Sequence, residues 1–285
     1  MKDQRIQTFR AIAIIAVVMV HTMPPGNWQI FLRPLINFPF ATFLFLSGYL
    51  IFRSYRTGKE PCFCQCKRYT ILYIRICPVC PADPVSVQTC KIKVSLSRMA
   101  DCPVSVLLFK YYGYSFGIHT NKYLYLLWSD LCLGWFTFYY LGLLLGNKII
   151  NKKYNLPTLT TVYAVSIVLQ MIEGYIWAKL DAGNCGSQLK LSLLLSSSIF
   201  VLILYTLLQS NTFQPRSRIL TLFGEYSFGI YLSHILFLRI LEQSIGYKTI
   251  PYPFDSVILL SVCALFNWII KLFSGKRIAK LIGII

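Results

Sequence analysis

The stretch Phe9-Arg10-Ala11-Ile12-Ala13-Ile14-Ile15-Ala16-Val17-Val18-Met19-Val20-His21-Thr22-Met23 is apolar except for two strongly polar side chains, Arg10 and His21. They stand eleven residues apart. At about 100° per residue that is three turns of helix, so both point the same way with roughly 16 Å of rise between them. Ionisable groups are costly inside a bilayer and usually face a bundle interior or a water-filled cavity, where they mark function. The spacing predicts a membrane helix with one functional face, Arg10 toward the cytoplasmic mouth and His21 deeper in the bundle.

The rest of the chain fits that reading. It has 285 residues, 56% hydrophobic and 13% charged, with a mean hydropathy of +0.58, which is a polytopic membrane composition rather than a soluble one. Seven apolar spans are readable: Thr8–Met23, Ile36–Phe52, Tyr123–Gly146, Leu156–Ala178, Leu189–Gln209, Ile219–Leu241 and Phe254–Phe273. Most approach the ~20 residues that cross a hydrocarbon core. The fold class expected is therefore all-α and polytopic, a bundle of about 7–10 transmembrane helices in a single domain over residues 1–285. Pro24-Pro25-Gly26 follows the first span without a small-x-small cleavage pattern, so that span reads as a helix rather than a removable signal.

A formal charge of +18 would suit nucleic acid, but the cations cluster in short segments beside the spans. That is a topology signal, and no nucleic-acid partner is expected. Lys2/Arg5, Arg53/Arg56/Lys59, Lys148/Lys152/Lys153, Arg216/Arg218 and Lys271/Lys276/Arg277/Lys280 are assigned to the cytoplasm, with both termini inside. Trp28, Trp128 and Trp177 stand near span ends as interfacial aromatics do.

Residues 61–132 break the pattern. Seven of the ten cysteines fall between Cys62 and Cys102, in runs such as Cys62-Phe-Cys64-Gln-Cys66 and Cys77-Pro-Val-Cys80-Pro. Paired thiolates could hold zinc, but the first pair has one intervening residue where two to four are usual, and no metal site is assigned. A disulfide framework fits worse, because the segment follows the cytoplasmic Arg53–Lys59. Translation in a wrong frame, or a locally scrambled sequence, between two intact pieces accounts best for the simultaneous loss of periodicity, charge logic and composition.

Two further segments are polar where a lipid-facing helix would not be. Phe43-Leu-Phe-Leu-Ser47-Gly48-Tyr49-Leu50 interrupts an aromatic wall with a small pair suited to close helix approach. In Gly224-Glu-Tyr226-Ser227-Phe-Gly-Ile-Tyr231-Leu-Ser-His234, Ser227 and His234 are seven apart and share a face. A second intramembrane histidine means either a polar cavity or an interhelical hydrogen bond. For His21 a hydrogen bond to a neighbouring helix is the plainer alternative, and for Arg10 it is snorkelling to headgroups.

Taken in order, Phe9–His21, Phe43–Leu50 and Tyr226–His234 resemble the opening, second and penultimate helices of the membrane acyltransferase 3 family, integral O-acyltransferases of bacterial surface sugars. The resemblance covers about the first 60 residues and the last 150. It implies an acyltransferase that takes an acyl group, most simply acetyl, from cytoplasmic acyl-CoA to a sugar hydroxyl of a surface polysaccharide or its precursor, in the bacterial inner membrane. Its family positions imply donor binding for Arg10, acid/base or acyl-handling chemistry for His21, and a catalytic part for His234. Acetyl-CoA would be a donor substrate, with no permanently bound cofactor. The family's cytoplasmic Arg-x-x-Arg falls where this chain has Lys67-Arg68, with Arg75 further on, so Arg68 is the donor-binding residue implied there, with the spacing altered. The alternatives are a transporter or exporter of lipid-linked sugars, which shows no convincing internal repeat here, and an inactive acyltransferase remnant.

Overall fold

The computed structural model describes residues 3–56, 135–146, 154–180, 190–210, 213–215, 217–244 and 250–273. Every regular element among them is helical: α1 (Gln4–Thr22), α2 (Asn27–Phe31), α3 (Arg33–Ile36), α4 (Pro39–Arg56), α5 (Phe136–Gly146), α6 (Leu156–Lys179), α7 (Leu191–Gln209), α8 (Arg218–Ser244) and α9 (Phe254–Phe273). Six helical stretches among the described residues are long and apolar enough to cross a membrane, with the shorter Thr137–Gly146 beside them. The chain is an all-α, multi-pass membrane protein.

Helix α1 begins four residues before the apolar run, because Asp3 caps it and its carboxylate accepts the Arg5 N–H at 3.1 Å. Capping satisfies one of the donors that the first turn leaves open. At the far end Pro24-Pro25 cannot continue the helix, and Gly26, at φ 90, takes the left-handed conformation that starts α2.

Contacts along the helices give their directions. Gly224 of α8 lies on the backbone of Gln7, and His234 meets His21, so α1 and α8 run parallel. Both carry basic residues at their N-terminal ends, which the positive-inside pattern places on one side. Arg5 donates to the carbonyls of Leu208 (2.9 Å) and Ser210 (3.1 Å), so α7 ends where α1 begins. Thr22 and Ser256 share a hydrogen bond of 2.6 Å, so α9 begins where α1 ends. At the other end of α9, Lys271 Nζ is 3.9 Å from Glu225 and 5.3 Å from the Tyr226 ring centroid.

Helices α4 and α5 also run parallel. Trp135 packs edge-on against Phe40 at 5.1 Å, near the start of both, while further along Gly48 lies on the Tyr139 and Leu143 backbone and Gly142 on that of Phe45 and Tyr49. A Cβ on Gly48 would strike the Tyr139 carbonyl, and one on Gly142 the Phe45 carbonyl. The two glycines thus allow backbone-to-backbone contact, the arrangement that draws helices together where lipid is as apolar as the side chains. Arg56 and Trp135 lie at opposite ends of this pair.

Helix α6 is turned inside out relative to a soluble helix. Val162, Val165, Leu169, Ile172 and Ile176 form an exposed apolar stripe, while Ser166, Gln170 and Trp177 are buried against α7. There Gln170 bonds to Ser196, and Glu173 accepts from the Ser192 hydroxyl and N–H. Such bonds between membrane helices are worth about 0.6 kcal/mol on average. Two apolar cores complete the bundle: one around Ile6, Phe45, Phe138 and Leu204, the other around Ile14, Val18, Ile230 and Leu259.

Candidate functional site

The polar residues gather at the end of the bundle where α1 stops. Because α1 starts at Gln4, Arg10 falls in its second turn and His21 in its last. The histidine therefore sits at the far rim of the bundle rather than at mid-depth. It is exposed, whereas Arg10 is half-buried and has no hydrogen bond or ion pair among the described residues.

His234 comes to His21 from α8. Their ring centroids are 5.0 Å apart and the planes inclined at 57°. The parallel crossing causes this, since Gly224 lets the two backbones touch near their starts and the helices stay together for the next three turns. His234 Nδ1 lies 2.7 Å from the Tyr231 carbonyl and 3.2 Å from that of Ile230. Carbonyls only accept, so Nδ1 carries hydrogen and the lone pair of the neutral ring is on Nε2. That Nε2 is buried and has no hydrogen-bond partner among the described residues. Tyr231, exposed on the same helix, places its ring 5.7 Å from His234 and 6.5 Å from Phe43 of α4.

Five residues that the sequence did not single out complete the rim. Arg33 of α3 is near enough to act electrostatically on His21. Thr22 bonds to Ser256, and Ser256 donates both its N–H (2.6 Å) and its hydroxyl (3.2 Å) to Asp255. Just before α9, Tyr252 feels the Asp255 carboxylate; burial first, and then that charge, push its phenol up from the ordinary value. Two signals for these residues existed in the sequence. Asp255 is an acid at the edge of an otherwise apolar span, and Arg33 a cation in the short connection between the first two spans.

Ser47 donates to the Phe43 carbonyl at 2.8 Å and is exposed, so the Ser47-Gly48 pair serves helix packing through its glycine. Ser227 is fully buried, and its hydroxyl has no partner among the described residues. Arg68, the cysteine runs and the whole of 61–132 lie outside the described residues.

The arrangement sets two imidazoles side by side, one of them with a buried Nε2 that has no partner among the described residues, and a cation further down the first helix. No family model, no curated protein and no solved structure matched the chain.

Proposed function

We propose that the chain is an O-acyltransferase of a bacterial inner membrane, with cytoplasmic termini, moving an acetyl or similar acyl group from acyl-CoA to a sugar hydroxyl of a surface polysaccharide or its precursor. The observation that carries the reading is the 5.0 Å approach of His21 and His234. Each comes from a separate segment resembling the acyltransferase family, and an acyl transfer needs a base placed beside the attacking hydroxyl.

In this mechanism Arg10 steadies the donor's phosphates from the cytoplasmic side; its guanidinium stays charged and presents a planar fork of donors to them. The acceptor oxygen attacks the thioester carbonyl as His21 removes its proton. The carbon–sulfur bond then breaks, and the coenzyme thiolate leaves and is protonated. His234, its Nδ1–H held by backbone carbonyls, keeps Nε2 facing the site to share that proton. General-base catalysis of this kind contributes about 10²–10⁴ in rate.

The test is transfer from radiolabelled acetyl-CoA to acceptor glycan by the purified chain in nanodiscs. His21→Ala should lower acylation by about 10²–10⁴ with insertion intact, and Arg10→Ala should raise the donor KM. Unchanged acylation in His21→Ala overturns the assignment. Movement of unmodified glycan across vesicles without acyl-CoA would replace it with the transporter reading.

A further inference from the structure

Beyond the two histidines, the same rim carries an aromatic pair that the mechanism does not use. Trp28 of α2 is 47% exposed, and its ring lies 5.4 Å from that of Tyr252 at 59°. The Tyr252 hydroxyl is buried, with no hydrogen-bond partner among the described residues. It stands beside Asp255, which through Ser256 and Thr22 leads directly to the residue after His21. An exposed indole, a phenol without a partner among the described residues and a carboxylate are thus linked by successive contacts to Thr22, the residue after His21.

We infer that Trp28 and Tyr252 form the subsite for the pyranose ring of the acceptor, holding it so that one of its hydroxyls reaches His21. A pyranose has an apolar face of C–H bonds and an edge of hydroxyls. The indole matches the first, because aromatic side chains give large apolar contact with defined geometry. The phenol matches the second, since a buried polar atom without a partner is costly until something bonds to it. A tryptophan that served only as an interfacial anchor would need no unmet hydroxyl beside it.

This subsite rests on the acyltransferase reading for its role, but its test does not need transfer. Binding of fluorescently labelled gluco-, galacto- and N-acetylhexosamine oligosaccharides is measured on the full chain in nanodiscs, without donor. One or more should bind, Trp28→Ala should weaken binding about ten-fold, and Trp28→Phe should keep it within about three-fold. Absence of binding to every sugar, or equal binding by Trp28→Ala, overturns the subsite. Binding that depends on Trp28 in a chain that transfers no acyl group leaves the subsite standing and removes the acyltransferase reading instead.

Discussion

His234 meets His21 at 5.0 Å across the parallel contact of α1 and α8, with its Nδ1 tied to the Tyr231 carbonyl at 2.7 Å. The backbone carbonyls thus keep the proton of the neutral ring on Nδ1 and leave the lone pair on Nε2. If the pair acts as one base, His21→Ala should lower acyl transfer by about 10²–10⁴. His234→Ala should lower it too, and the double variant should be no worse than His21→Ala alone, because residues acting as a unit are not additive. Multiplicative losses, measured as kcat with saturating acceptor, would separate the two histidines.

The reciprocal contact of Gly48 and Gly142 predicts a packing defect. Gly48→Leu or Gly142→Leu forces two backbones apart and should cost about 1–3 kcal/mol, the usual range for overpacking. Thermal unfolding in detergent would show it as a lowered Tm. An unchanged Tm for both would contradict the close approach.

Arg5 joins the start of α1 to the end of α7 by charge-assisted bonds to Leu208 and Ser210, while Asp3 holds its other nitrogens at 3.1 and 3.2 Å. Arg5→Ala should therefore destabilise the fold by about 1.5–3 kcal/mol, and Arg5→Lys should recover only part, because a single ammonium cannot reproduce the fork. Denaturant titration of the three proteins would rank them.

Tyr252 should titrate above the ordinary tyrosine value of about 10, since burial and Asp255 both oppose its anion. A phenol whose pKa is raised on folding lends stability below its unfolded pKa, and that stability is lost as the pH rises toward the folded value. The ultraviolet difference titration between wild type and Tyr252→Phe should show this raised pKa. Asp255→Asn should lower it without restoring the ordinary value, because burial remains.

Hydropathy and charge along the chain were enough for the membrane class, for most span positions and for the shared side of the α1 and α8 starts. Each follows from local chemistry: bilayer thickness sets span length, and flanking cations set direction. That residues eleven apart share a side of α1 follows from helix geometry, but the depth of His21 was not legible, since it depends on where α1 ends. The start of α1 was misjudged by four residues because Gln4 and Arg5 are polar and the cap on Asp3 outweighs hydropathy there. Gly48 was legible as a packing residue, but its partner Gly142 was not. That pairing depends on the relative direction and height of two helices separated by a long stretch of chain.

What the sequence by itself determined is a set of apolar helices, each with its own polar face. Only the tertiary structure decided which faces meet. His21 finds His234, Thr22 finds Ser256, and Trp28 finds Tyr252, because helix crossings through Gly224 and the turn at Gly26 bring distant segments to one rim. The physical reason is that lipid does not discriminate among apolar surfaces. Partner choice in the bundle is left to close backbone contacts and a few hydrogen bonds, and these are properties of pairs of helices rather than of any one stretch of residues.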